Sequence, residues 1–476
     1  MYTQIKHVFK HSAVYSIGQF INNFIAYLLI PLYGHFLTTD EYGIIATTGV
    51  MCTVLLYLFT LSLDAAAIRF SNQHNTQIFF GTLWVFVLVN SIILTGIALW
   101  LTWTFNIFKY IDYHPFVSLS LLSVFFNAAS IVPLAFYKAK EKSTSYVLYN
   151  SLLFVSNLVT IPIFLVVFNK GVEGVMWARL IASIIVFIIF TISFIPKIKI
   201  CFDWHIFKQS LKFSLPLLPH SIALWGMISL NRFFLERLSG LSDAGIFSLG
   251  LALGMTLDIV IISFFSIWPP FFFRASDNKY NCEILEKIAT YGITVMVVGA
   301  VGLSFFAKEI FRLLAAEQFW PGNVIVPIVA LAVVLKGLYM FPSVILQYVK
   351  KTNMFIWIGG LCLIISILAN YYLISWLGPI GAGWALVVTY LSLLVITQYV
   401  ASRYYSFKYD YKTISRLFII SFIFFQIINS LTLDPWPQFW IKILIFVIYL
   451  FCVYLFKIVS NKEIKTVWEK ILQKTV

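Results

Sequence analysis

Charge is scarce in this sequence: Asp, Glu, Lys and Arg make up only 11% of its 476 residues, while 61% are apolar. With a mean hydropathy of +0.92, it carries more apolar surface than a soluble core can hide, which excludes a water-soluble globular chain. Cysteine is also rare. Cys52, Cys201, Cys282, Cys362 and Cys452 stand far apart, with neither a zinc spacing nor the close, even pattern of a disulfide framework. No G-x-x-x-x-G-K-[ST] loop occurs, so ATP hydrolysis through a Walker fold is excluded. His7 and His11 have helical spacing but lack the glutamate of an H-E-x-x-H metal helix. No catalytic constellation, metal site or cofactor is therefore expected.

What fills the sequence instead is a succession of apolar runs of about 20 residues, the helix length that crosses roughly 30 Å of hydrocarbon. They do not alternate in polarity, so they read as helices and not as strands of a membrane barrel. About fourteen spans are predicted: 13–34, 43–64, 80–103, 116–137, 146–168, 174–195, 213–235, 244–268, 289–311, 323–346, 354–376, 381–402, 413–431 and 438–457. The first is too long for a signal-peptide core and has no small-x-small cleavage site after it, so it is expected to stay as an anchor.

The 33 Lys+Arg against 19 Asp+Glu could suggest nucleic acid, but their distribution points elsewhere. If Lys6 and Lys10 lie inside, alternation places Arg69, Lys138/Lys140/Lys142, Lys197/Lys199/Lys208/Lys212, Arg274/Lys279/Lys287, Lys350/Lys351, Arg403/Lys408/Lys412/Arg416 and the Lys-rich tail on the same side. Opposite loops hold only Lys109, Lys170, Arg237, Lys308, Arg312 and Lys442. This bias predicts both termini in the cytoplasm and makes the net charge a topology signal, with no nucleic-acid partner.

Two sequence echoes imply an internal duplication. "GVEGVMWA" (Gly171 to Ala178) opens the sixth span and "GPIGAGWA" (Gly378 to Ala385) the twelfth; "TTDEYGIIA" (Thr38 to Ala46) opens the second and "LSDAGIFSL" (Leu241 to Leu249) the eighth. The offsets, 207 between Gly171 and Gly378 and 202 between Gly43 and Gly245, agree closely. Six spans is an even number, so both copies insert in the same orientation, related by an axis along the membrane normal with a cleft between them. The expected organisation is a cytoplasmic amphipathic segment (1–12), a first six-span lobe (13–195), a cytoplasmic linker (196–212), a second lobe (213–402), two added spans (413–457) and an amphipathic tail (460–476). The tail opens with a capping box, Ser460 and Glu463, and its lysines flank an apolar stripe suited to an anionic leaflet.

Ionisable residues inside spans are costly and normally face a bundle interior or a wet cavity. Lys336 lies about 20 Å below the outer start of its span, and Arg179 and Arg232 lie nearer headgroup depth; all three are candidate cations of a binding cavity. Asp64 and Asp258 are the acids read as buried, and either could hold a coupling proton or sodium ion or pair with one of these cations. Gly250 and Gly254 form a G-x-x-x-G step for close helix packing. "LPLLPHS", with Pro216 and Pro219, marks the most broken helix start. Convergent positive charge in an apolar cleft suits an anion crossing a low-dielectric slab, such as a lipid phosphate.

The segments "YSIGQFINNFIAYLLIPLYGHFLTTDEYGIIA", "FSLPLLPHSIALWGMISLNRFFLERLSGLSDAGIFSLG" and "GVEGVMWARLIAS" resemble those of bacterial polysaccharide flippases, the Wzx-type O-antigen exporters of the MOP superfamily. The resemblance covers nearly the whole chain. It implies an all-α membrane protein of two six-helix lobes around a basic cavity. It also implies movement of undecaprenyl-pyrophosphate-linked oligosaccharide from the inner to the outer leaflet of a bacterial cytoplasmic membrane, possible ion coupling, and a polysaccharide polymerase as partner. Arg232 matches the family's basic residue at the end of span seven, while Asn231 stands where relatives often carry Asp. Competing readings are a multidrug or cation antiporter, which calls for an acidic cavity, a lipid II flippase, and a polymerase or ligase, which calls for longer outer loops.

Overall fold

The computed structural model describes residues 27–455 except 72, 106, 141, 277–281, 352, 406, 408 and 431–434. The amphipathic segments 1–12 and 460–476 and the start of the first span lie outside the described residues. The protein is an all-α membrane bundle, and no strand occurs among the described residues. Ten of the described helices are long and apolar enough to cross a membrane, where the sequence predicts about fourteen spans. One of the ten, Met354–Ser402, has 49 residues and covers two predicted spans.

By its contacts the chain divides into two units. The first comprises residues up to Ser248 together with Leu314–Gln318. It begins with α1 (27–36) and α2 (Thr39–Thr60). A capping box starts α2: the Thr38 side chain accepts from Glu41 N, while Thr38 N donates to the Glu41 carboxylate at 2.9 Å. That carboxylate also accepts from Val172 N at 3.2 Å, so one glutamate caps both α2 and α7 (Gly171–Phe194).

The second span ends earlier than the sequence suggests. Leu61 and Ser62 both adopt positive φ, closing α2 at Thr60, and Asn90 of α4 (Thr76–Phe105) donates to the freed carbonyls of Leu58 and Phe59. Asp64 therefore starts a separate short helix, α3 (Leu63–Phe70), and is exposed, which corrects its reading as a buried acid. Around α3, the core is edge-to-face aromatic packing: Phe80 on Phe136 of α5 (Ser118–Ala139), and Trp84 and Phe136 on Phe194.

The repeated G-x-x-G-x-x-W-A proves to be a helix corner used twice. Gly171 and Gly378 both hold positive φ, at 54° and 55°, a conformation that favours glycine. In a continuous helix residues 373 and 381 would stand about 12 Å apart along the axis. Here a Cβ on Gly381 would lie 2.0 Å from the Leu373 carbonyl oxygen, so α15 (Met354–Ser402) folds back on itself at Gly378. The first copy does the same. Gly174 lies against the Phe164 carbonyl of the π-helical turn Ile163–Val167 that ends α6 (Ser143–Pro162). In both copies the alanine is fully buried and the tryptophan partly exposed.

The second echo is a contact. At Gly43 and Gly245, α2 and α10 (Leu241–Gly254) cross so closely that neither position has room for a Cβ, and Ser242 Oγ donates to Thr39 Oγ1 at 2.9 Å. More contacts join loops that the charge pattern assigns to the outer face. Ala316 N donates to Gly34 O at 2.8 Å and Gln318 Nε2 to Leu37 O at 3.0 Å. Buried Glu236, on α9 (Leu217–Leu238), accepts from the backbone N–H groups of Lys109 and Tyr110.

The linker read between spans six and seven contains a helix, α8 (Trp204–Ser214), capped by Asp203 and broken from α9 at Leu215–Pro216. Pro219 falls in the first turn of α9, where no intrahelical donor is required.

The second unit comprises Leu249–Leu313 and the chain from Phe319 onward. A 3-10 turn, Met255–Leu257, separates α10 from α11 (Asp258–Ser276). Next come α12 (Cys282–Phe305), α13 (Ala307–Leu314) and α14 (Ile325–Tyr348). The small Gly250 and Gly254 admit Ile325 and Val329 of α14 at close range, as the G-x-x-x-G step requires. The added helices α16 (Tyr411–Asn429) and α17 (Pro435–Leu455) belong to this unit. Lys442 of α17 is buried and donates to both carboxylate oxygens of Glu309, at 2.7 and 3.0 Å.

Candidate functional site

Four of the five candidate charged side chains fall into two groups on the described helices. In the first unit, Arg179 follows the first repeated Trp-Ala on α7, and Arg232 sits in the last third of α9. Both α7 and α9 pack on α2, and Tyr42 of α2 is within electrostatic reach of both arginines. Arg179 also acts on Cys52, two to three turns further along α2. The Arg232 Nε is buried with no hydrogen-bond partner, and so is the Asn231 side-chain oxygen beside it.

No carboxylate among the described residues is within salt-bridge distance of Arg179 or Arg232. The nearest acid in sequence to Arg232, Glu236, lies one helical turn along α9, and its Oε1 accepts from Lys109 N and Tyr110 N. A guanidinium in a low-dielectric setting without a counter-charge is costly, and an anion beside it would offset that cost. Planar guanidinium groups bind phosphate in bidentate fashion.

In the second unit, Lys336 is not a free cation. Its Nζ donates to Asp258 Oδ2 at 2.6 Å, with the two side chains 22% and 19% exposed. The sequence raised this pairing among several. Asp258 opens α11 directly after the 3-10 turn, so a local unwinding sets the acid at the helix N-terminus, where the dipole favours negative charge. Asp258 Oδ1 and the buried hydroxyl of Tyr390 have no hydrogen-bond partner, and Tyr390 lies within electrostatic reach of Asp258. The ion pair therefore retains unused acceptor capacity.

The five candidates thus divide: Arg179 with Arg232, Lys336 with Asp258, and Asp64 apart from both on α3. Sequence reasoning did not single out Tyr42, Glu41, Glu236 or the Lys442–Glu309 pair. Glu41 was open to detection as the fourth residue of a T-x-x-E capping box. The charge pattern counted Lys442 among the few cations of the opposite loops, with no acidic partner assigned to it.

The family model described as "Polysaccharide biosynthesis protein" matches residues 8–276. The chain belongs to this family. This polysaccharide biosynthesis protein is 23% identical over 325 residues to the Lsg locus protein 1 of Haemophilus influenzae, covering 66% of the present chain and 78% of that protein. Its fold is similar to that of a solved structure of the lipid II flippase MurJ, itself in an inward closed conformation, with a TM-score of 0.74 at 14% identity, covering 93% of this chain and 99% of that one. The inward-facing structure of a MATE family multidrug resistance transporter of the MOP superfamily gives a TM-score of 0.64 at 16% identity, covering 83% and 96%.

Proposed function

We propose that this polysaccharide biosynthesis protein is a flippase. Its substrate on this reading is undecaprenyl-pyrophosphate-linked oligosaccharide, carried from the inner to the outer leaflet of a bacterial cytoplasmic membrane, with both termini in the cytoplasm. The observation that carries the reading is the pair Arg179 and Arg232, set around Tyr42 with no carboxylate at salt-bridge distance among the described residues. A pyrophosphate supplies the missing negative charge, and the guanidinium groups replace the hydration it loses on leaving water.

Lys336 enters through exchange. An incoming phosphate competes with Asp258 for the ammonium, and a proton or sodium ion then neutralises the released carboxylate, which ties anion movement to cation movement. Asp64, exposed on α3, is less suited to that role than Asp258. Alternating access requires the contacts among the loops at the Gly43–Gly245 end to part and re-form. The protein performs no covalent chemistry on its substrate, and membrane lipids surround it. A polysaccharide polymerase is the expected consumer of the delivered repeat unit. An antiporter for cationic drugs would need net acidity where Arg179 and Arg232 bring positive charge.

The test is reconstitution in proteoliposomes with a fluorescent polyprenyl-pyrophosphate oligosaccharide. Protection of the fluorophore from an external quencher should change in time with the wild type and not with Arg179→Ala/Arg232→Ala. Equal rates for the two proteins, or transport of a cationic drug in place of the lipid, would falsify the proposal.

A further inference from the structure

The segment joining α7 to α9 carries a surface that neither the fold's interior nor the anion site uses. Residues 199–203 lie outside any helix, with Ile198 before them and Asp203 at their end in extended conformation, and run across the start of α4. Lys199 N donates to Gln77 O at 3.1 Å, the Lys199 carbonyl lies 1.9 Å from where a Cβ on Gly81 would be, and Asp203 N donates to Thr82 Oγ1 at 3.1 Å. Alternate side chains of an extended segment point to opposite sides. Cys201 and Asp203 are partly covered, whereas Ile200, Phe202 and Trp204 are 62%, 46% and 65% exposed.

Asp203 then caps α8 by accepting from His205 N and Ile206 N. One face of α8 is buried through Ile206, Phe207 and Ser210, and His74 and Gln209 join their side chains at 3.0 Å. This pinning leaves Lys208 and Lys212 exposed on α8, with exposed Lys199 just before it. None of the three lysines has an acidic partner within salt-bridge distance among the described residues.

We infer that this surface, the Ile200/Phe202/Trp204 stripe with Lys199, Lys208 and Lys212, is a binding site for the anionic phospholipid leaflet. Three large apolar side chains on a pinned backbone form a wedge that gains by entering the acyl boundary, and tryptophan prefers headgroup depth. Unpaired lysines beside the wedge supply the electrostatic half of the recognition. Two such signals together give stable seating where either alone is weak. Lys197, by contrast, is engaged internally, donating to Tyr137 Oη at 2.7 Å. The inference needs only that the chain spans a membrane and does not depend on what it transports.

Hydrogen exchange of the full chain in lipid nanodiscs tests it. Adding phosphatidylglycerol to phosphatidylcholine should slow backbone exchange across 199–212 about fivefold, with α4 beyond Trp84 unchanged as an internal reference. Lys199→Gln/Lys208→Gln/Lys212→Gln should abolish the dependence on phosphatidylglycerol while keeping the rate seen in phosphatidylcholine. Ile200→Ser/Phe202→Ser/Trp204→Ser should exchange faster in both lipids. Equal wild-type rates in the two lipids would overturn the inference, as would equal protection by inorganic phosphate, or protection that follows a bound protein instead of the lipid.

Discussion

Gly43 and Gly245 hold each other's helices at backbone contact. A Cβ on Gly43 would stand 2.1 Å from the Leu241 carbonyl oxygen, and one on Gly245 would stand 1.9 Å from that of Thr39. Each glycine faces the carbonyl four residues before the other. Gly43→Ala or Gly245→Ala must push α2 and α10 apart. We expect a loss of about 1–3 kcal/mol, seen as a lower midpoint in thermal unfolding of the purified protein. Gly49→Ala, on the same helix with no atom within 4 Å of the added Cβ, should show no such loss.

The Thr39 and Ser242 hydroxyls, 2.9 Å apart, allow the same contact to be locked. Cysteines at both positions fall within reach of a disulfide. Oxidised Thr39→Cys/Ser242→Cys should cross-link within one chain and lose most of its export, and a reductant should restore it. Neither single variant should respond. Full export by a completely cross-linked protein would mean that these helices need not part during transport.

Arg232 carries an unsatisfied buried Nε, so its removal has opposite effects on folding and on function. Arg232→Met should raise stability by about 1–2 kcal/mol, because a desolvated charge disappears. It should slow lipid export about tenfold or more, because a phosphate contact disappears with it. A structural arginine would lose both together. Thermal melts and export measured on one preparation decide.

Lys336→Ala is not a clean probe of transport, since it strands the Asp258 carboxylate. With the pair about four-fifths buried, the single variant should lose about 2–4 kcal/mol. Asp258→Asn/Lys336→Met should recover most of that loss, and the cycle should show a coupling above about 1 kcal/mol. If the double variant is stable yet fails to export, the pair acts in transport. Normal export by the double variant removes Lys336 and Asp258 from the mechanism.

Apolar run length revealed most of the helices because hydrocarbon thickness acts on each span separately. The break at Leu61 and Ser62 escaped notice because neither residue is a glycine or proline, and tertiary contacts such as Asn90 on the Leu58 and Phe59 carbonyls accompany it. The helix α8 was hidden in a segment read as linker, although the Asp203 cap was visible in "FDWHIF". The two echoes were readable from spacing, but spacing alone could not show that Gly43 and Gly245 touch. For the candidate site the limit was pairing. Lys336 and Asp258 are 78 positions apart, and no periodicity links residues at that distance.

The Lys442–Glu309 pair bears on how far this chain can be shortened. With side chains only 5% and 9% exposed, it joins the last described helix to α13, and the Phe446 ring rests on Gly302 close by. A truncation after α15 would leave the Glu309 carboxylate without its cation, together with an aromatic-sized hollow over α12. The last two described helices are thus a structural obligation of the second unit, and a version ending at α15 would need Glu309 and its surroundings redesigned first.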